Sequence, residues 1–317
     1  MYYDDKDDVL WTANTDGVMR EEFTGDRLEG AMIVNGVEPS QILRDSEGNT
    51  WIATNGNGLY KYFIQDFRRY DSDNIRAVMT IAKNHSGNIW LGTMYRGLWK
   101  VKDGVESSYI DPIDGYRNGI NCVRVSPRGE VWVGTGNGVG QYNETTDKFK
   151  WYVPSDGLPG KVVSDIEFST DGIWISTNNG LCLYDGKKFK TFSKDDGLSD
   201  DHISQIHFSK SHNTLYVGTS TTLYAFRDGA FRPIHVPEFE DARVLSMQTY
   251  KEKFLAMGTA GGGVMIIDPS TSQRRLITTR DGLASDFIYF AGVDDKHYLW
   301  IGTEKGINRV LLDDGLE

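Results

Sequence analysis

One short phrase recurs eight times along this chain and constrains its fold more than any other feature. Each copy has an apolar pair usually led by Trp, then a small residue, then usually Thr before a turn. The anchor position of the phrase is occupied in turn by Trp11, Trp51, Trp90, Trp132, Trp174, Tyr216, Ala256 and Trp300. Successive anchors lie 39 to 44 residues apart. This period indicates that each copy is one supersecondary unit stacked against its neighbours.

Each unit is predicted to be all-β. The fifth copy shows the pattern through its predicted strands, which are Val162–Phe168, Gly172–Thr177, Leu181–Tyr184 and Lys188–Phe192. Turns rich in Ser and Asp precede the anchors, as in 45–48 and 169–172, with Gly where a positive φ is needed. No stretch has the 3.6-residue period of a helix over a dozen residues. Four-stranded units at this spacing predict the blades of a β-propeller.

The anchor phrase is interpreted as architecture rather than as a binding site. A Trp on a central strand buries about 150–250 Å² between blades. The Gly, Ala or Ser two residues later leaves room for a large side chain of the adjacent blade, and the Thr can hydrogen-bond into the turn that follows.

The repeats resemble the two-component regulator propeller repeat. The copies that carry the resemblance best are Ile42–Lys61, Ile81–Lys100, Val123–Tyr142 and Ile166–Asp185, with the link phrases Asp156–Leu158, Asp196–Leu198 and Asp281–Leu283. It spans nearly the whole chain, and copies six and seven, anchored at Tyr216 and Ala256, depart from the consensus. The resemblance implies a periplasmic or extracellular sensor region of a hybrid two-component regulator, in a family where many members respond to glycans. Further propeller or output domains of a larger chain are then expected partners.

The blade count follows from the copies of the phrase. Residues 1–317 are predicted to form a single propeller domain with eight blades, the closing one three-stranded. Seven blades with a displaced terminal unit is the alternative.

Composition excludes several classes of partner. The net charge of −11, without basic runs interleaved with aromatics, argues against binding to nucleic acid. The chain contains no 18-residue apolar run, so no membrane span is expected in it. The two cysteines, Cys122 and Cys182, fall in strands of different blades and are expected to be buried free thiols.

The order of strands predicts where a ligand binds. Because strands alternate in direction, the turn after each Thr and the link to the next blade share one face, where variable loops can carry recognition. Aromatic rings with Arg, Asn, Asp or His suit a saccharide or another small polar ligand. The candidate residues on this face are Tyr95, Arg96, Arg117, Asn118, Asp201, His202, Asp286 and Tyr289.

Signals of catalysis are weak. The six histidines include no metal-binding spacing, and neither a nucleophile elbow nor a phosphate loop is present, so we expect no metal and no cofactor. The leading hypothesis is a non-catalytic binding propeller. A propeller lyase or hydrolase acting on a glycan, with His202 as base and Arg96 or Arg117 stabilising a carboxylate, is the alternative. A scaffold that binds a protein partner is a second alternative.

Overall fold

A computed structural model describes residues 2–4, 9–14, 16–24, 27–44, 49–63, 66–70, 75–102, 104–237, 243–293 and 298–311. In these ranges the chain forms strands joined by turns and short 3-10 segments, with no α-helix. Contacts divide the chain into two compact units, Met1–Ile166 and Glu167–Glu317, and the boundary falls inside one strand.

Blades 1 to 4 belong to the first unit. Blade 1 contains β1 (Tyr2–Asp4), β2 (Val9–Asn14), β3 (Gly17–Thr24) and β4 (Arg27–Asn35). Blade 2 contains β5 (Pro39–Arg44), β6 (Thr50–Thr54), β7 (Gly58–Phe63) and β8 (Asp66–Tyr70). Blade 3 contains β9 (Val78–Lys83), β10 (Ile89–Thr93), β11 (Leu98–Lys102) and β12 (Val105–Tyr109). Blade 4 contains β13 (Ile120–Val125), β14 (Val131–Thr135), β15 (Gly138–Asn143) and β16 (Lys148–Tyr152).

Blades 5 to 8 follow, and the first strand of blade 5 contains the boundary between the units. Blade 5 contains β17 (Val163–Phe168), β18 (Ile173–Thr177), β19 (Gly180–Tyr184) and β20 (Phe189–Phe192). Blade 6 contains β21 (Ile203–Ser209), β22 (Thr214–Thr219), β23 (Leu223–Arg227) and β24 (Ala230–Ile234). Blade 7 contains β25 (Val244–Tyr250), β26 (Phe254–Thr259), β27 (Val264–Ile267) and β28 (Arg274–Ile277). Blade 8 contains β29 (Ile288–Val293), β30 (Tyr298–Thr303) and β31 (Gly306–Leu311).

Every blade is an antiparallel meander whose strands pair in chain order. Seven sheets have four strands, and the sheet of blade 8 has three within the described residues. The chain is therefore an all-β, eight-bladed β-propeller. The prediction of eight blades is confirmed, and the seven-blade alternative is wrong. The predicted turn at 45–48 lies outside the described residues, whereas Gly172 in the equivalent turn of blade 5 has a φ of 141°.

The hydrophobic core lies between successive blades. Trp90 of blade 3 is fully buried and packs with Val123, Val133 and Tyr142 of blade 4. Tyr216 packs in the same way against residues of blade 7. The anchors are therefore interblade residues, as predicted.

The small residue after the anchor is required by the next blade. A Cβ added to Gly92 would lie 2.5 Å from Cγ2 of Ile120, and one added to Gly134 would lie 2.6 Å from Cγ1 of Val163. Both distances are too short for real side chains, so only glycine allows these strands to approach.

The threonine of the phrase closes the following turn. Its hydroxyl donates to a backbone carbonyl three or four residues later in all seven copies that contain Thr, at 2.6 to 3.0 Å. Cys122 and Cys182 are buried free thiols, as predicted. Burial raises the pKa of Cys122 to about 12, so this thiol is unreactive at neutral pH.

Candidate functional site

The turns between second and third strands are bonded to the links between blades. In the first unit Gly97 N donates to Asn118 O at 2.9 Å, and Gly138 N donates to Lys161 O at 2.7 Å. In the second unit Gly180 N donates to Asp201 O at 2.6 Å. We call these turns, the links and the starts of the first strands the loop face of each unit.

Large apolar side chains are exposed chiefly on the loop face. The nine such side chains among the described residues are Met32, Met79, Tyr95, Val105, Ile110, Ile113, Tyr116, Tyr289 and Phe290. Seven of the nine, all except Met32 and Val105, lie on loop-face segments. In the first unit Tyr95 is 77% exposed, Tyr116 is 73% exposed and Ile113 is 94% exposed. This concentration is unusual because apolar surface is normally scattered over a protein.

Tyr95 and Arg96 project from the turn between β10 and β11. The backbone of this turn is fixed, because Arg96 N donates to the Thr93 hydroxyl at 2.9 Å and Trp99 Nε1 donates to Arg96 O at 3.0 Å. Both predicted side chains are exposed. The turn therefore presents a ring and a guanidinium group from a rigid support.

Arg117 is engaged inside the link between blades 3 and 4. Its Nη1 donates to Asp111 Oδ2 at 3.0 Å, its Nε lies 3.6 Å from Asp114 Oδ2, and its guanidinium lies 4.9 Å above the Trp151 ring. A backbone hydrogen bond from Asp114 is the largest cause lowering the pKa of Asp111, so this carboxylate stays charged beside the arginine. Sequence reasoning missed these partners, which come from the link itself and from β16.

Three other predicted residues hold the links in shape. Asn118, Asp201 and Asp286 each accept a hydrogen bond from a backbone N–H seven residues earlier, at 2.8, 2.8 and 2.6 Å. The Asp286 carboxylate also accepts from the Thr279 hydroxyl at 2.9 Å. These side chains occupy equivalent positions, and their polar atoms are used within the protein.

A β-bulge recurs at the start of the first strand. In six blades the pairing with the second strand skips one residue at the same place. The bulged residues are Ser40, Met79, Asn121, Ser204, Leu245 and Tyr289. In blade 4 the bulged Asn121 donates through Nδ2 to Val163 O at 2.8 Å. In blade 8 the bulged Tyr289 is 62% exposed, because a bulge redirects its side chain.

The other second-unit candidates are also exposed. His202 lies just before β21, and its backbone N–H donates to Asp200 Oδ1 at 3.0 Å. The ring of Tyr289 lies 5.2 Å from that of Phe287, and Phe290 is 41% exposed. The loop face of the second unit thus carries its own aromatic group.

Two kinds of feature are not found in the described part of the chain. No group of three His, Cys, Asp or Glu side chains is arranged to hold a metal ion. No helix there has the length and apolar character needed to span a membrane.

Solved structures share the fold. The extracellular domain of the hybrid two-component system BT4673 from B. thetaiotaomicron matches at 20% identity with a TM-score of 0.68. The match covers 86% of this chain and 38% of that domain, so the chain spans less than half of its length. The chain has the propeller fold of that extracellular domain. The resemblance seen in the repeats is confirmed at this level.

Other matches show how widely the fold is used. Virginiamycin B lyase from Staphylococcus aureus matches at 16% identity with a TM-score of 0.67, over 87% of this chain and 95% of that one. The computationally designed protein Ika8 matches at 13% identity with a TM-score of 0.73, over 96% and 93%. No protein-family model and no curated protein matches the sequence. Because extracellular domains and lyases share the fold, function must be argued from the site.

Proposed function

We propose that the chain is a non-catalytic ligand-binding propeller, the extracytoplasmic sensor region of a two-component regulator, which recognises an oligosaccharide or another small polar ligand at the loop face. The observation that carries the proposal is the concentration of exposed rings there. Tyr95 and Tyr116 of the first unit are each about three-quarters exposed on a fixed backbone.

The chemistry of these rings suits a saccharide. A tyrosine offers a flat face for the C–H groups of a sugar and a hydroxyl for its polar edge. Arg96 extends from the same turn as Tyr95, and Lys161 Nζ lies 5.7 Å above the Tyr116 ring. Both cations can donate to hydroxyl or acidic groups of a ligand stacked on the rings.

The contacts of Arg117 weigh against the catalytic alternative that uses this residue. A lyase would need a base beside a cation that stabilises a carboxylate. The Arg117 guanidinium is already held by two carboxylates and the Trp151 ring. Placement outside the cytoplasm, and the attachment of further domains, are proposed from the likeness to an extracellular domain of which the chain spans 38%.

Calorimetric titration with a panel of neutral and acidic oligosaccharides tests the proposal. Tyr95→Ala and Tyr116→Ala should each weaken binding by about 1–3 kcal/mol, because each removes a stacking surface. Val105→Ala is the matched control, because Val105 is 67% exposed but follows a turn on the opposite side of its blade.

The same mixtures are then assayed for product. Recovery of the intact ligand supports a sensor, whereas turnover that disappears in His202→Ala would establish an enzyme instead. Binding that neither Tyr95→Ala nor Tyr116→Ala weakens would contradict the assignment of the loop face of the first unit.

A further inference from the structure

A cavity of 610 Å³ opens between blades 6 and 7. Its walls come from turns between first and second strands, from the turn between β27 and β28, and from the outer strands of blade 6. Its lining includes Tyr216, Ala225, Arg227, Arg232 and Lys253. It lies at the copies of the repeat that depart most from the consensus.

The equivalent place between blades 3 and 4 is filled. There the anchor Trp90 pairs with Lys100 on the third strand. Lys100 Nζ donates to the Tyr142 hydroxyl at 2.9 Å and to Asp147 Oδ1 at 3.1 Å, both in blade 4. The same ammonium group lies 5.5 Å from the centre of the Trp90 ring. A long side chain and its partners thus close that junction.

The junction between blades 6 and 7 lacks the side chains that fill the junction between blades 3 and 4. Its anchor Tyr216 pairs with Ala225, so no lysine side chain extends across the junction. By strand register, Ile267 and Ser272 of blade 7 stand where blade 4 has its tyrosine and its aspartate. Ser272 keeps the positive φ of that turn position, 62° against 54° for Asp147. The backbone frame is therefore retained, and the smaller side chains at these three positions contribute to the open space of the cavity.

The lining of the cavity is cationic although the chain is acidic. Arg227, Arg232 and Lys253 contribute three permanent positive charges, and Glu252 contributes one negative charge. Arg227 also has a carboxylate partner outside the lining, because its Nε lies 3.6 Å from Asp228 Oδ2. Lys253 is anchored by Asp268, whose Oδ2 lies 3.3 Å from its Nζ and whose side chain is 1% exposed. Two arginines and a lysine around one opening form a donor set suited to carboxylate or phosphate groups.

The buried end of the cavity, at Tyr216, provides an apolar surface, and we call it the floor. Tyr216 is 2% exposed, and its hydroxyl lies 2.8 Å from Nδ1 of His212, which also lines the cavity. Beside it lie the apolar side chains of Ala225, Pro233 and Ile234. A cavity of this volume with an apolar floor and a few convergent polar groups is typical of a small-molecule site.

We propose that this cavity binds a small organic anion, a carboxylate or phosphate carried on a body of sugar size. Arg232 binds the anionic group, Arg227 supplies a second donor beside its ion pair with Asp228, and the floor at Tyr216 contacts the body of the ligand. Apart from His235, which lies in the link between β24 and β25, the lining is outside the loop face. The proposal does not depend on the function proposed for the loop face.

Titration with galacturonate, glucose 1-phosphate and glucose, followed by calorimetry, tests the proposal. Galacturonate represents a carboxylate source and glucose 1-phosphate a phosphate source, and glucose is the uncharged control. Arg232→Ala should weaken binding of the anion about tenfold or more, because a charge-assisted hydrogen bond is lost. Ala225→Leu should abolish binding, because the larger side chain projects from the floor beside Tyr216 into the space proposed for the ligand. Arg128→Ala, at an exposed arginine in the turn between β13 and β14, is the matched control and should leave the affinity unchanged.

Each outcome decides the proposal. Binding of either anion that is lost in Ala225→Leu and weakened in Arg232→Ala supports it, and the anion that binds identifies the source. It is overturned if neither anion binds at millimolar concentration, if binding of the anions is unchanged in Ala225→Leu, if glucose binding is lost in Ala225→Leu as anion binding is, or if Arg128→Ala alone reduces the affinity. Thermal melting of each variant confirms that it is folded, and Arg227→Ala replaces Arg232→Ala if that variant is not.

Discussion

The close approach at Gly134 predicts that replacing it with alanine destabilises the protein. The added Cβ would lie 2.6 Å from Cγ1 of Val163 and 2.7 Å from Sγ of Cys122, whereas ordinary contact begins at 3.4 Å. Relief of this overlap requires a shift of several tenths of an ångström in packed strands. Overpacking of this kind costs about 1–3 kcal/mol. Alanine also restricts the unfolded chain, which stabilises the protein by about 0.4–1 kcal/mol and partly offsets the loss.

Gly115→Ala is the matched control for that experiment. No atom lies within 4 Å of a Cβ added at Gly115, and its φ is not positive. Gly115→Ala should therefore change the free energy of unfolding only by restricting the unfolded chain. Urea unfolding of both variants gives the two free energies, with unchanged m-values as the check that only stability has changed. The difference between them should be about 1–3 kcal/mol. Equal free energies of unfolding would refute the account of glycine in the anchor phrase.

Three further predictions concern single side chains. Trp132→Ala should lower the free energy of unfolding by about 3–5 kcal/mol, measured in urea, because a ring that is 1% exposed leaves a cavity; an unchanged midpoint would contradict its role as an anchor. Hydrogen bonds from the hydroxyls of Tyr109 and then Tyr142 lower the pKa of Asp147 to about 2, below its value in the unfolded chain. This pair of bonds stabilises the folded protein above about pH 4, and the stabilisation is lost as the pH falls towards that pKa. The free energy of unfolding of Asp147→Asn should therefore fall less than that of the wild type between about pH 6 and about pH 3. An identical fall in both proteins would exclude the effect. Arg117→Met should accelerate hydrogen exchange in 110–119, and lost ligand binding without faster exchange would instead make Arg117 a ligand contact.

The repeat-level features of the fold could be predicted because the same physical requirement recurs in each copy. A strand that approaches its neighbour closely needs glycine at Gly92 and at Gly134, and a turn that leaves a backbone carbonyl available needs the hydroxyl of Thr93. Because the phrase recurs, the roles of its glycine and threonine are indicated again in each copy that contains them. The fold of every blade could therefore be predicted from local pattern and spacing alone.

The roles of individual loop residues could be predicted less well. Asn118 and Asp201 are polar residues on the predicted face, yet their side chains accept hydrogen bonds from the backbone of their own links. The constant separation of seven residues between acceptor and donor was a signal present in the sequence. Arg117 could not be assigned in that way, because the Trp151 ring under its guanidinium belongs to a strand more than 30 residues later.

The cavity between blades 6 and 7 could be found only after the pairing of the strands was known. Tyr216 and Ala256 showed that these copies differ from the others. The space itself depends on the pairing of Tyr216 with Ala225, and on which residues of the next blade face that pair. A smaller side chain in one blade therefore enlarges the space at its junction with the next blade.

The recurring bulge gives this fold a position at which a residue can be substituted without a change in strand register. The bulged residue is left out of the pairing with the second strand, so its side chain can vary without altering the register of any other residue. Where the bulged side chain is exposed, as at Met79 and Tyr289, one substitution can alter the contribution of that blade to the loop face without a new loop. Met79, Asn121 and Tyr289 already show three different chemistries there. Related propellers are therefore expected to acquire new ligands through these positions first, and a library randomised at them would sample recognition while preserving the scaffold.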